Sequence, residues 1–292
     1  MNILATGLNG LVGSRIVEIL SDFEFENISR STGVDITNKN ALLDAFGKSD
    51  AKYVMHLAAK TDVDACERDK ALGEHGEAWK INVDGTQNMV DACQQTGKKF
   101  IYISTDFVFS GEDTPEDGYT EESMPNPINW YGATKYEGEK RVMKSSIPWI
   151  IVRPAYPYRA EFPKLDFVRA IRNRLQQHQP ILGVTDHVFC PTFIDDIAVA
   201  FKVLIQQNVT GIYHVVGSQS LTPFDAAILI AQTFGQDTSL ISKTTREAFF
   251  KGRAPRPFNL TLNNGKIEQL GGKMRTFEEG LVTIKQKTSE SA

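Results

Sequence analysis

The stretch Asn2-Ile-Leu-Ala-Thr-Gly7-Leu-Asn-Gly10-Leu-Val-Gly13 decides how the rest of the chain is read. Asn2 to Thr6 form a short apolar strand, and from Leu11 onward the apolar residues Leu11, Val12, Ile16, Ile19 and Leu20 recur at helical spacing. Between strand and helix lie three glycines. Gly7 permits a tight turn, Gly10 lets a pyrophosphate approach the backbone, and Gly13 lets helix and strand pack closely. The first N–H groups of the helix and its positive dipole end suit phosphate oxygens. The strand–turn–helix context such a motif requires is present, so Gly7, Asn9, Gly10, Leu11 and Val12 are candidate dinucleotide contacts.

Working outward, strand and helix signals alternate. Strands are expected at Phe25–Ser29, Tyr53–Leu57, Lys99–Ser104 and Trp149–Arg153. Helices are expected from the N-cap Thr37 through Phe46, over Trp79–Gln95 and over Asn129–Lys144. This order implies crossover connections and a parallel sheet with helices on both faces. After Pro154, prolines at 157, 163, 180 and 191 break the pattern. Helices are read at Leu165–Gln176, Phe193–Ile205 and Phe224–Phe234, with a strand at Gly211–Val216. The expected fold is α/β, a doubly wound parallel sheet of Rossmann type with a smaller, discontinuous C-terminal substrate domain. Residues 1–155 plus 189–217 form the dinucleotide-binding domain, and 156–188 plus 218–292 the substrate domain. The polar tail Lys285–Ala292 is expected to fray.

Composition narrows the function. The chain has 292 residues, is 41% hydrophobic and carries a net charge of -4, so no basic face invites nucleic acid. The three cysteines, Cys66, Cys93 and Cys190, form no C-x-x-C pair and read as reduced thiols, with no metal site. No apolar run approaches the length of a membrane span, and the first residues carry no basic n-region or cleavage site. A cytoplasmic enzyme without membrane attachment is the expectation, with a homodimer left open.

Arg30 stands at the end of the second strand, where an acid would favour NAD through the ribose 2′-hydroxyl. A cation there can pair with a 2′-phosphate, which favours NADP, with NAD as the alternative. The small residues of His56-Leu57-Ala58-Ala59 let the third strand's backbone approach the cofactor. Tyr131 and Lys135 lie four residues apart, on one face of a helix. A free tyrosine has a pKa of about 10, and a neighbouring ammonium lowers it into the range of an acid–base group. Ser104-Thr105-Asp106-Phe107 closes the fourth strand, where a hydroxyl can polarise a substrate carbonyl.

With Thr6, the glycine run reads T-G-x-x-G-x-x-G, which resembles the extended branch of the short-chain dehydrogenase/reductase family. The resemblance implies that Thr105, Tyr131 and Lys135 are a catalytic Ser/Thr–Tyr–Lys triad. It also implies that Asp35-Ile36 lines the adenine pocket and that Asn82 helps to build the site. Ser104, Tyr131 and Lys135 then also touch the cofactor. Tyr131 would give its proton to a carbonyl oxygen as the cofactor delivers hydride to the carbon.

Several further stretches resemble the dTDP-4-dehydrorhamnose reductases: Ser104–Phe109, Pro127–Glu139, Cys190–Ala198, Gly211–Val215 and Arg256–Leu262. This implies an NADP(H)-dependent reductase of a 4-keto nucleotide sugar. Ser104, Thr105, Asp106, Phe107, Tyr156, Arg253 and Arg256 are candidate substrate contacts. Arg153, Arg159, Lys164, Arg169 and Arg172 are weaker candidates for its diphosphate. The chain departs from these relatives in Arg153-Pro-Ala-Tyr156, where they usually carry R-x-x-W, at Asp166, where they often carry Asn, and in Thr185–Cys190. These departures fall in the expected sugar pocket and leave the sugar open. Phe107 replaces the Glu of the related 4,6-dehydratases, which argues against dehydration. An epimerase–reductase would need an extra base, for which His187 and Cys190 are the available groups. The same scaffold also implies a second class of function, a non-catalytic NADP-binding regulatory subunit like that of methionine adenosyltransferase.

Overall fold

The computed structural model describes residues 1–290. From the N-terminus run β1 (Asn2–Thr6), α1 (Leu11–Ile19), β2 (Glu24–Ile28), α2 (Lys39–Lys48), β3 (Tyr53–His56), α3 (Val63–Asp69), α4 (Glu77–Trp79), α5 (Gly85–Thr96), β4 (Lys99–Ile103), α6 (Trp130–Met143) and β5 (Trp149–Arg153). There follow β6 (Pro157–Tyr158), α7 (Phe167–Gln176), β7 (Ile181–Val184), β8 (Thr192–Phe193), α8 (Ile194–Gln206), β9 (Gly211–His214), α9 (Pro223–Phe234), β10 (Ile241–Thr244), α10 (Arg246–Phe249), α11 (Gly265–Gln269) and α12 (Phe277–Glu290). Two compact units result. The first holds Met1–Phe109, Met124–Arg153 and Leu204–Tyr213; the second holds Ser110–Ser123, Pro154–Val203 and the chain from His214 onward.

The first unit is built on a six-stranded sheet in the order β2-β1-β3-β4-β5-β9. β1 pairs in parallel with both β2 and β3, and β3 with β4 and β4 with β5 likewise. Strands buried on both faces need apolar side chains on both, and Ile3, Leu4, Val54, Met55, Phe100, Ile101, Ile150 and Ile151 are all buried. Each such side chain contributes about 1.5–3 kcal/mol. Because the chain leaves β1 to one side for β2 and then crosses to the other for β3, the strand order reverses at β1/β3. Ligands of such sheets bind at the carboxyl ends of strands at that switch point. The glycine turn after β1 and Leu57–Ala59 after β3 both lie there.

The turn is built as the glycines require. Gly7 has φ +74, and a Cβ on it would stand 2.9 Å from the backbone of Leu57 and Ala58. A Cβ on Gly13 would run into the Gly7 carbonyl oxygen, so α1 could not pack against the turn. Gly10 is the N-cap of α1, with no side-chain cap and no acidic residue in the first turn.

The second unit contains two short parallel pairs, β6 with β8 and β7 with β10. Tyr158, Phe189, Phe193, Leu221, Ile230, Phe277, Leu281 and Ile284 form its principal core. No helix among the described residues is long and apolar enough to cross a membrane.

Three local expectations are corrected. Asn38, not Thr37, caps α2 by accepting from the Ala41 N–H at 3.2 Å. Thr37 is occupied by Asp35, whose Oδ1 accepts from both its N–H and its hydroxyl. The helix expected over Trp79–Gln95 is interrupted by a π turn at Lys80–Asp84. The expected frayed tail is helical to Glu290, because Phe277, Leu281 and Ile284 recur at helical spacing and are buried; Ser291 and Ala292 lie outside the described residues.

Candidate active site

Asn129 caps α6, its side chain accepting from the Gly132 N–H at 2.9 Å. Tyr131, Lys135 and Glu139 then follow at four-residue intervals along one helix face. Lys135 is 2% exposed, and its Nζ donates to the Ile103 carbonyl at 2.6 Å, 4.1 Å from the centre of the Tyr102 ring. Burial lowers its pKa to about 7, against the pull of the Glu139 carboxylate. The Tyr131 ring meets Phe107 edge to face at 5.9 Å. Its enclosed phenol titrates well above the ordinary tyrosine range, with the bond to the Thr105 hydroxyl opposing that shift and the Asp106 charge adding to it. Burial is the largest influence on this phenol and raises its pKa.

Thr105 follows β4 and caps a short 3-10 turn, Asp106–Val108, by accepting from the Phe107 N–H at 3.2 Å. Its hydroxyl donates to Asp106 Oδ1 at 3.0 Å. Ser104 and Asp106 are buried, and Ser104 Oγ and Asp106 Oδ2 have no hydrogen-bond partner. Desolvation raises the Asp106 carboxyl to about 7. This turn sits directly against α6, because Gly132 has no Cβ to strike the Phe107 carbonyl oxygen.

Asn82 occupies the π turn, a distortion frequent at functional sites. Its Oδ1 accepts from the Lys60 N–H at 2.8 Å, and its Nδ2 donates to the Lys60 carbonyl at 3.1 Å and to Thr134 Oγ1 at 3.0 Å. One side chain thus ties the segment after β3 to α6. A second tie escaped the sequence reading. Thr6 Oγ1 accepts from the Ala58 N–H at 3.0 Å and lies 2.7 Å from His56 Nδ1. Burial lowers the His56 pKa to about 3, so the ring is neutral and fixes the carboxyl ends of β1 and β3 together. A histidine inside an otherwise apolar strand was the available signal.

Arg30 is largely exposed and its Nε pairs with Asp35 Oδ2 at 2.8 Å. Ile36 is buried, and Asn88 Nδ2 donates to its carbonyl at 3.0 Å. Of the substrate candidates, Ser104, Thr105, Asp106 and Phe107 lie in the first unit, and Tyr156, Arg253 and Arg256 in the second. Tyr156 adopts φ +39, a strained conformation for a bulky residue. Its hydroxyl lies 2.9 Å from His187 Nε2, and His187 Nδ1 donates to the Pro257 carbonyl at 2.7 Å, so the phenol is the donor to Nε2. Arg253 and Arg256 lie over the Phe250 ring at 5.2 and 4.8 Å. Two other arginines are committed elsewhere. Arg153 is buried in a bidentate pair with Glu139, and Arg169 is buried against Asp166. Neither is placed to take a diphosphate. Cys190 is buried, its thiol donating to the Leu260 carbonyl at 3.6 Å, which is a packing role rather than that of a base. No group of side chains suited to a metal ion occurs among the described residues.

The family model described as RmlD substrate binding domain matches residues 1–289. A dTDP-4-dehydrorhamnose reductase of Aggregatibacter actinomycetemcomitans is 30% identical over 285 residues, covering 92% of this chain and 93% of the relative. The crystal structure of dTDP-4-dehydrorhamnose reductase from Bacillus anthracis in complex with NADP superposes with a TM-score of 0.88 at 30% identity, covering 98% of this chain and 99% of that one. Methionine adenosyltransferase 2 subunit beta of Mus musculus is 27% identical over 297 residues, covering 96% of this chain and 85% of the relative.

Proposed function

The chain belongs to the RmlD substrate binding domain family, and from that premise we propose that it is an NADP(H)-dependent oxidoreductase that reduces the 4-keto group of a nucleotide-linked deoxysugar. What supports this is that Thr105 follows β4, Tyr131 packs on Phe107 of the same turn and Lys135 Nζ donates to the Ile103 carbonyl of β4, at the carboxyl ends of strands where the glycine turn also lies. The residues fit a dinucleotide: a helix start with no side-chain cap, behind a turn where a Cβ on Gly7 or Gly13 would clash, suits a pyrophosphate. Gly7, Asn9, Gly10, Leu11 and Val12 would hold that group, Asp35 and Ile36 the adenine side, and Leu57, Ala58, Ala59, Asn82, Ser104, Tyr131 and Lys135 the remainder. Bound NADPH supplies the hydride that reaches the carbonyl carbon. Thr105 orients the carbonyl oxygen, Tyr131 holds the proton that oxygen receives, and Lys135 positions the nicotinamide ribose. We read the second unit as the substrate domain, with Tyr156, Arg253 and Arg256 as its candidate nucleotide-sugar contacts. A cytoplasmic setting fits this activity.

The direct test is NADPH oxidation at 340 nm with dTDP-4-keto-6-deoxyhexoses. The likeness to methionine adenosyltransferase 2 subunit beta favours one alternative, a regulatory NADP-binding subunit. NADPH binding without turnover on any such sugar would select it.

Arg30 decides the cofactor. Its pair with Asp35 is exposed and of the kind worth about 0–1 kcal/mol, so the guanidinium is easily shared with a 2′-phosphate. Arg30→Ala is expected to weaken NADPH binding roughly 10- to 100-fold, the worth of a lost charge-assisted bond, with little effect on NADH. Equal losses for both would remove the assignment. Arg256→Ala is expected to raise KM for the nucleotide sugar about tenfold with NADPH affinity preserved. An unchanged KM would remove Arg256 from the diphosphate site.

A further inference from the structure

His187 is 1% exposed, and both nitrogens of its ring are engaged. Burial lowers its pKa to about 4, with the Arg246 and Arg256 charges adding to the shift, so at pH 7 the ring is neutral and carries one N–H. A carbonyl oxygen only accepts, so the 2.7 Å bond to Pro257 places that hydrogen on Nδ1. Nε2 is left as an acceptor, and the Tyr156 hydroxyl gives it its single proton at 2.9 Å. The phenol oxygen can accept further hydrogen bonds but has no second proton to donate. We propose that His187 is a positioning residue that sets substrate specificity: it holds the Tyr156 oxygen as an acceptor, which selects a sugar carrying a hydroxyl donor at that point over one carrying an acceptor alone. This rests on the nucleotide-sugar reading and deepens it.

The surroundings keep this polarity from relaxing. The imidazole stacks on Phe189 at 5.8 Å with the planes 8° apart, and the Tyr156 ring lies 4.4 Å from the same phenylalanine. The backbone beside the histidine is tied down: the Val188 N–H donates to the Phe258 carbonyl at 2.6 Å, and the Leu260 N–H to the Val188 carbonyl at 2.8 Å. The ring therefore cannot turn over without losing its bond to Pro257. That carbonyl belongs to the turn bearing Arg253 and Arg256, so one buried ring joins the phenol to the candidate diphosphate ligands within the second unit. Strain points the same way, since the φ of +39 at Tyr156 is of the kind kept where function needs it. Tyr156 and His187 also lie in two of the stretches where the chain departs from the reductases it resembles, and here they meet in one hydrogen bond. With Nδ1–H and Nε2 both committed, His187 has no lone pair with which to take a proton from a sugar carbon. It is not the extra base of an epimerase.

Calorimetric affinities for dTDP-rhamnose and its 2-, 3- and 4-deoxyfluoro analogues test this, because fluorine in place of hydroxyl keeps an acceptor and removes the donor. The wild type is expected to bind one of the three about tenfold more weakly than dTDP-rhamnose, the worth of a lost hydrogen bond. His187→Phe keeps a ring on Phe189 and lets the phenol turn its proton toward the fluorine, so most of that discrimination should vanish. His187→Gln, whose amide oxygen can accept from the phenol, should restore it. A wild type indifferent to every fluorine, or a His187→Phe variant that weakens all four ligands alike, overturns the specificity role. A second measurement needs no ligand. In 15N-histidine NMR at pH 7, one ring, absent from His187→Gln, should be protonated at Nδ1 and bare at Nε2, and Tyr156→Phe should shift its Nε2 signal. The opposite tautomer, or an imidazolium, overturns the inference whatever the protein binds. The stated tautomer in a protein that binds none of these sugars removes instead the nucleotide-sugar reading, and the role of His187 with it.

Discussion

Tyr131→Phe lowers kcat for NADPH-dependent reduction by roughly 10²- to 10⁴-fold, the contribution of a positioned general acid, and leaves NADPH affinity near that of the wild type. The ring itself is structural: it packs edge to face on Phe107, and the substitution preserves that contact. What is lost is the hydroxyl and its proton. Burial keeps that phenol protonated across neutral pH, which is the form a reduction requires at the moment the carbonyl oxygen acquires charge. The opposite direction, oxidation of an alcohol, needs a phenolate, and the same burial disfavours it. Tyr131→Phe should therefore damage reduction strongly, and the wild type should run reduction at pH 7 far more readily than oxidation. Turnover within tenfold of wild type, measured alongside an unchanged NADPH Kd, would transfer the proton-donor role to another group.

The parts of the site that were legible in the sequence are those set by local geometry. A glycine needed at φ +74, a helix whose start must be uncapped, and two side chains four residues apart on one helix face all depend on neighbours within a turn or two. The order of strands and helices foretold the sheet for the same reason. What could not be read depends on contacts distant in sequence. Asn82 is useful because a π turn aims it at Lys60 and Thr134, 22 and 52 residues away. Spacing places Lys135 one turn from Tyr131 but does not reveal that burial raises the phenol and lowers the ammonium. Arg153 looked like a phosphate ligand because a lone arginine at a strand end carries no mark of its partner, Glu139 on the next element back. The tail was misread for a different reason: Lys285 to Glu290 is polar, and it continues a helix anchored earlier by the buried Phe277, Leu281 and Ile284.

Arg153→Met should destabilise the protein by about 3–5 kcal/mol, because it strips the partner from a carboxylate that has no access to water. Glu139 is fully buried and Arg153 is 1% exposed, with Nε and a terminal nitrogen donating to the two carboxylate oxygens at 2.8 and 2.7 Å. The guanidinium also lies 5.1 Å from the centre of the Phe109 ring, at the end of the turn that carries Thr105 and Asp106. One buried pair therefore fastens β5 to α6, the helix that bears Tyr131 and Lys135. Because Glu139 opposes the depression of the Lys135 pKa, neutralising it should leave Lys135 more readily uncharged. The pair need not be a net source of stability, since desolvating two ions costs several kcal/mol each. The double variant Arg153→Met with Glu139→Leu should consequently recover most of the loss in chemical denaturation. It should not recover activity, since the carboxylate that supports the Lys135 charge is gone. A single variant within 1 kcal/mol of wild type would mean that Glu139 finds water or a proton when Arg153 leaves, and that α6 is held to the sheet by its apolar contacts alone.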